Sequence, residues 1–291
     1  MKKVLVLGGT RFFGKKLVKG LIEAEYDVTI ATRGRQADPF GNEIARLQVD
    51  RNDLDSLKRV ACSDWDLVFD SLCYSEANAS HIAQVLEGRV GRFIVTSSRA
   101  VYDHSPTIRK ETDFDPYTYP IAAGTREDVS YEEGKRQAEA VLFQKARFPA
   151  IAVRFPIVLG VEDYTRRLHF YVDHVRDQKD VYIGNPDARQ SFIDADEAAR
   201  FLQWAGESAQ ACGPYNACSD EAWTLPELIG KVEEAVGKSA RVLTGGVAEQ
   251  LSPFAIPDSY VLDTEKARNE GYAFGALSDW LVPLIQRLAA K

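Results

Sequence analysis

The stretch VLVLGGTRFFGKKLV, residues 4–18, decides how the rest of the chain is read. A short apolar run meets the pair Gly8-Gly9, and Gly14 then opens a stretch with helical spacing. A buried strand, a tight turn and a helix are the direct reading. Glycines in such a turn let the backbone approach a phosphate closely. The helix N-terminus behind it offers unpaired N–H groups and the positive end of the helix dipole. The same glycines also suit a βα turn that binds nothing, so the turn alone leaves both readings open. Arg11 stands where a third glycine is expected.

Outward from this stretch, apolar runs alternate with helical ones. Strands are expected at 3–8, 27–33, 46–50, 66–72, 92–98 and 151–160. Helices are expected at 14–24, 54–63, 77–89 and 127–148. Short apolar runs separated by helices make βαβ units and a parallel sheet. The expected fold is therefore α/β, a Rossmann-type doubly wound parallel sheet over residues 1–160. After about residue 160 the rhythm changes. A helix at 165–179, a strand-turn-strand-helix run over 181–208, a helix at 224–238 and a final helix at 277–290 read as a smaller C-terminal α/β lobe. That lobe, residues 161–291, is expected to be mainly substrate-binding, with part of 190–215 returning to the first domain. Thr224 can cap the helix that carries Pro226 in its first turn.

The 291 residues carry 36 Lys and Arg against 43 Asp and Glu, a net charge of −7. This balance argues against a protein whose main work is holding nucleic acid. The four cysteines, Cys62, Cys73, Cys212 and Cys218, make no C-x-x-C pair, and the four histidines complete no zinc pattern. No metal is expected. The apolar run after Met1-Lys2-Lys3 is too short for a signal peptide, and no run reaches a membrane span. A cytoplasmic protein with reduced thiols is the expectation.

The second strand ends in Ala31-Thr32-Arg33-Gly34-Arg35, with no carboxylate. An acidic residue there would bond the ribose hydroxyls of NAD, whereas an arginine can pair with the 2′-phosphate of NADP. Arg11 in the first turn would add charge toward the same phosphate. NADP is the expected cofactor, with NAD as the alternative. Solvated surface charge is the bland account of these arginines. Asp50, at the end of the third strand, can accept from the adenine amino group or cap the next helix.

In the long helix Tyr131 and Lys135 stand at i and i+4, on a stripe continued by Ala138 and Leu142. A lysine on a core-facing stripe needs an account. Gly134 inside a helix costs about 1 kcal/mol against alanine, so close approach of another group is expected there. Upstream, Thr96, Ser97 and Ser98 end a strand, at the edge where parallel sheets bind ligands. A serine, a tyrosine and a lysine divide the work of a hydride transfer. The serine orients the substrate oxygen, and the tyrosine moves the proton with its pKa lowered by the ammonium. On spacing alone, an incidental Tyr–Lys pair is equally open.

Four stretches, GGTRFFG, TSSRAVY, YEEGKRQAE and VRFPIVLG, together resemble the extended or atypical short-chain dehydrogenase/reductases of the NAD-dependent epimerase/dehydratase family. RQSFIDADEAA, YNACSDEAWTL and LDTEKAR extend the resemblance through the C-terminal half. It implies Ser98, Tyr131 and Lys135 as catalytic residues. It implies a cofactor site of Gly8, Thr10, Arg11, Phe12, Phe13, Gly14, Arg33, Asp50, Arg51, Ser71, Leu72, Tyr131, Lys135 and Pro156. Tyr74, Arg99 and Arg189 are the expected substrate contacts. The implied activity is NAD(P)-dependent oxidation and reduction of a hydroxyl carbon, as in a nucleotide sugar. In this family the tyrosine helix and its neighbour often form a dimer bundle. The GGTR turn also resembles a branch that includes chloroplast stem-loop RNA-binding proteins. A non-catalytic RNA-binding or cofactor-sensing protein is therefore the alternative. Cys73 and Tyr74 stand where the family has small residues, which would narrow the crevice. The long connection 104–128 is expected to fold over the site as a lid.

Overall fold

A computed structural model describes residues 1–103, 105–244 and 251–290. The first half builds β1 (Lys3–Leu7), α1 (Phe12–Glu23), β2 (Asp27–Thr32), β3 (Ala45–Gln48), α2 (Leu54–Leu57), β4 (Trp65–Asp70), α3 (Glu76–Val85), β5 (Val90–Ser98), α4 (Tyr131–Gln144) and β6 (Ala150–Phe155). The second half adds β7 (Ile157–Leu159), α5 (Arg167–Arg176), β8 (Asp180–Ile183), β9 (Arg189–Gln190), β10 (Phe192–Asp194), α6 (Ala195–Glu207) and β11 (Gly213–Asn216). It closes with β12 (Trp223–Thr224), α7 (Leu225–Val236), β13 (Arg241–Thr244), α8 (Glu265–Asn269) and α9 (Leu277–Ala289).

Seven strands form one parallel sheet in the order β11-β6-β5-β4-β1-β2-β3. The strand order reverses at β1, and the crevice of a doubly wound sheet opens at that switch point. Alternation along β1 shows why both faces need cover. Val4 and Val6 enter a core with Leu17, Leu21, Phe201 and Leu202 of α1 and α6. Leu5 and Leu7 enter the opposite core with Ile82, Val141 and Leu142 of α3 and α4. A run apolar at every position is what a strand buried on two faces requires.

A third core lies in the C-terminal half, where α5, α7 and α9 pack through Tyr171, Val172, Ile229, Val232, Leu281 and Ile285. Thr224 caps α7, accepting from Glu227 N at 3.2 Å while Glu227 bonds back to Thr224 N at 2.7 Å. β11 returns to the main sheet beside β6, and α6 lies against α1.

Two local expectations need correcting. The tyrosine helix begins at Tyr131, not 127, because Ser130 caps it by accepting from Glu133 N. Asp128 is drawn instead into a turn with Thr125. The expected lid 104–128, of which residue 104 lies outside the described residues, is not free over 105–128. Arg109 N donates to Val261 O, and Asn216 N donates to the Glu111 carboxylate. Gln144 donates to the carbonyls of Pro116 and Tyr119. Residues 109–119 are therefore fastened along the β11 edge, and Arg126 is the residue of this segment that lies against the Tyr74 ring.

Candidate active site

The turn after β1 has the conformation its glycines were selected for. Gly8 and Gly9 hold φ of +103° and +85°, a region side chains resist. A Cβ on Gly14 would come within 3.3 Å of Gly9 Cα, so any side chain there would press on the turn backbone. The first turn of α1 carries no acidic residue and no side-chain cap. Its N–H groups are left for a ligand, as anion sites at helix N-termini require. These observations fit a dinucleotide pyrophosphate.

A cleft of about 340 Å³ opens on this turn and is lined by Gly8, Thr10, Arg11, Phe12, Phe13, Gly14, Arg33, Ser71, Leu72 and Tyr74. The structure thus gathers most of the sequence-expected cofactor residues. Arg35, Gln36 and Tyr164 line it too. Arg11 Nε donates to Gln36 Oε1 at 3.1 Å, and its guanidinium lies 6.0 Å from the Tyr164 ring centre. Neither Gln36 nor Tyr164 was foreseen, since each reaches the cleft from a loop with no motif. A smaller cavity of about 190 Å³ adjoins it through Arg33, Leu72 and Tyr74, and Asp50, Arg51 and Asn52 line its other side. Asp50 Oδ1 accepts from Asn52 N at 3.0 Å, while Asp53 caps α2. Asp50 therefore does not cap that helix. Arg51 is buried in an ion pair with Asp70 at 2.6 Å.

Tyr131 is exposed at the first position of α4, and Lys135 is buried one turn on. The Lys135 ammonium donates to Cys73 O and Thr96 O, both at 2.8 Å. It lies 4.2 Å from the Tyr74 ring centre and 5.9 Å from that of Tyr131. The two tyrosine rings are 6.2 Å apart. A Cβ on Gly134 would sit 2.3 Å from Tyr74 O, which is the close approach that glycine in this helix implied. Burial pushes the Tyr74 hydroxyl up to about 12, with Tyr131 adding to the effect. Tyr74 is therefore neutral at ordinary pH. Arg126 stacks on Tyr74 at 4.7 Å from the ring centre, a contact the sequence did not indicate.

Ser98 ends β5, and its Oγ accepts from Ala100 N at 3.2 Å. Ser71 Oγ and Thr96 Oγ1 share a hydrogen bond of 3.1 Å between adjacent strand ends. Pro156 is buried between β6 and β7. Arg189 lies elsewhere. It pairs with Glu227 at 3.1 Å, donates to Ala222 O at 2.7 Å and lines a separate cleft with Ser191, Cys218 and Arg268. That pairing follows from β9 lying beside β12 at the start of α7. Among the described residues, no group of three or more His, Cys, Asp or Glu could hold a metal ion. No helix among them is long and apolar enough to cross a membrane.

Residues 4–87 match the NAD dependent epimerase/dehydratase family. The matched segment contains the glycine turn, the arginines after β2 and the strand ends at Asp50 and Ser71. The chain is also 29% identical over 161 residues to the chloroplast stem-loop binding protein of 41 kDa b of Arabidopsis thaliana. That match covers 50% of this chain and 39% of the relative's length. A solved protein of Burkholderia cenocepacia J2315 superposes with a TM-score of 0.78 at 21% identity, over 100% of this chain and 99% of its own. The dTDP-glucose 4,6-dehydratase of Bacillus anthracis, solved with NAD, superposes with a TM-score of 0.76 at 14% identity, over 98% and 96% of the two chains. The fold shared with these two solved structures extends over the whole chain.

Proposed function

We propose that the chain is an NAD(P)-dependent enzyme that oxidises and reduces a hydroxyl carbon of a nucleotide sugar or related compound, with NADP preferred. The observation that carries this reading is the cleft at the glycine turn, which gathers Arg11, Arg33 and Arg35 with no carboxylate in its lining. The family match and the dTDP-glucose dehydratase likeness support the reaction class.

In this reading the α1 N-terminus and Gly8 to Gly14 hold the cofactor pyrophosphate, and Arg11 and Arg33 hold the 2′-phosphate. Asp50 faces the adenine side, and Ser71, Leu72 and Pro156 contact the rest of the cofactor. Bound there, the nicotinamide supplies hydride exchange. The chain's own residues move the proton. Tyr131 exchanges it with the substrate hydroxyl, Ser98 orients that oxygen, and the Lys135 ammonium stands one helical turn behind the tyrosine, 5.9 Å from its ring centre. Tyr74 covers Lys135 and faces Tyr131, so it sets the width of the crevice where the substrate reacts.

Calorimetric titration with NADPH and NADH, on the wild type and on Arg11→Gly and Arg33→Asp, tests the reading. Tighter NADPH binding is expected, with the advantage shrinking in both variants. Equal or tighter NADH binding would replace NADP with NAD. Binding of neither, together with salt-dependent affinity for a stem-loop RNA, would favour the RNA-binding alternative.

A further inference from the structure

Arg99 follows Ser98 directly and is buried, with 9% of its surface exposed. Its guanidinium has no carboxylate partner within ion-pair distance among the described residues. Nη1 donates to Tyr260 O at 3.3 Å and Nη2 to Gln190 Oε1 at 3.4 Å, both long for a charged donor. Its flat face lies 4.0 Å from the centre of the Tyr260 ring. Arg154, the other large buried arginine of this region, shows the usual solution, a carboxylate at 2.6 Å. Arg99 lacks one, and the charge of Arg167 bears on it with the same sign. Arg167, in the first turn of α5, also has no carboxylate partner among the described residues and donates Nε to Thr165 Oγ1 at 2.9 Å.

A buried guanidinium without an anion is costly, because it forfeits its hydration. Burial pulls the Arg99 guanidinium down to about 10, and the charge of Arg167 pushes the same way. It is still charged at neutral pH, so the cost is borne in the free protein. A ligand oxyanion would relieve it, and the planar fork of arginine is matched to carboxylate and phosphate.

We propose that Arg99, together with Arg167, receives an oxyanion of the substrate, a carboxylate or phosphate carried close to the hydroxyl that Ser98 orients. The inference rests on the reading of Ser98 given above. It narrows the substrate class from sugars in general to those bearing an acidic group near the reacting carbon.

The test is titration of the full chain with D-glucuronate, glucose 1-phosphate and neutral glucose, with and without saturating NADPH, read by calorimetry and thermal shift. At least one acidic probe is expected to bind about tenfold or more tightly than glucose. Whichever acid binds better identifies carboxylate or phosphate as the source. Arg99→Met is expected to lose that preference, to leave NADPH affinity unchanged and to keep or raise the Tm, since it removes an unpaired charge at similar length. Acidic probes binding no better than glucose would overturn the proposal. So would Arg99→Met binding them as the wild type does, or losing Tm while Arg167→Gln binds normally, since Arg99 is then a clamp on Tyr260 and Gln190. If Arg99→Met does not fold, Arg167→Gln decides, with weakened acid binding expected and unchanged binding overturning the site. A protein that binds the acids through Arg99 but neither cofactor keeps this site and loses the proposed function. One that binds NADPH but not the acids does the reverse.

Discussion

The ammonium of Lys135 lies 4.2 Å from the centre of the Tyr74 ring and donates to the carbonyls of Cys73 and Thr96. Lys135 thus ties the loop after β4 to the end of β5 while its charge stays behind Tyr74. The ring, not the hydroxyl, seats the lysine, and among the described residues no hydrogen bond from the Tyr74 hydroxyl accompanies the contact. Tyr74→Phe is therefore expected to leave stability within about 0.5 kcal/mol of wild type. Tyr74→Ala is expected to cost about 2 kcal/mol or more through the cavity it leaves. Lys135→Met should cost about 1–3 kcal/mol, because the buried Cys73 carbonyl and the half-buried Thr96 carbonyl lose their donor. Urea denaturation of the three variants checks this, and equal losses for Tyr74→Phe and Tyr74→Ala would contradict it.

Gly134 and Gly230 are both helical, yet their surroundings differ. A Cβ on Gly134 meets Tyr74 O at 2.3 Å, whereas one on Gly230 meets nothing within 4 Å. Gly134→Ala must push α4 away from a backbone carbonyl and is expected to lose about 1–3 kcal/mol. Gly230→Ala gains helix propensity and is expected to stabilise by up to about 1 kcal/mol. The opposite signs, read from paired denaturation curves, separate close packing from propensity.

Gly134 also shows what the sequence can convey. A glycine one residue before a core-facing lysine announces that something comes close, because helix propensity alone disfavours it. That the visitor is the Tyr74 carbonyl depends on α3 and α4 packing side by side, which no local pattern records. The sheet was legible for a similar reason, since strands buried on both faces are apolar throughout, as in Val4 to Leu7. Arg189 was less legible, because an arginine in NPDARQSF reads the same whether or not a carboxylate stands beside it, and its pairing with Glu227 depends on β12 lying next to β9. The fastening of the connection after β5 was not legible because its anchors, Glu111 to Asn216 N and Gln144 to two carbonyls, join residues far apart in sequence.

Behind the tyrosine helix, Arg154 and Glu139 form an ion pair at 2.6 Å with 0% and 1% of their side chains exposed. Arg154 also donates to Tyr102 Oη and Glu111 O, each at 2.9 Å, and to Phe114 O at 3.1 Å, while Ser97 donates to Glu139. This network joins α4, β5, β6 and the fastened connection. Removing one partner strands the other charge, so Glu139→Gln is expected to cost about 3–5 kcal/mol. The double variant Glu139→Leu with Arg154→Met removes both charges and should recover much of that loss. A double variant no more stable than Glu139→Gln in urea would show that the network acts through its neutral hydrogen bonds instead.

Asp194 caps α6, accepting from Asp196 N at 2.7 Å and Glu197 N at 3.3 Å. Burial, more than these bonds can offset, raises its pKa above the ordinary carboxylate range. The folded state therefore holds this proton to higher pH than the unfolded state does. Its contribution to stability is fully present below the unfolded value of about 3.9 and is lost as pH rises through the raised folded value. Asparagine caps a helix as well as aspartate but carries no titrating charge. Asp194→Asn should thus fall level with or below wild type near pH 3.5 and improve relative to it as pH rises to 7. Denaturation midpoints across that range give the sign directly. A variant that loses ground as pH rises would mean that the carboxylate charge at the α6 N-terminus outweighs its burial.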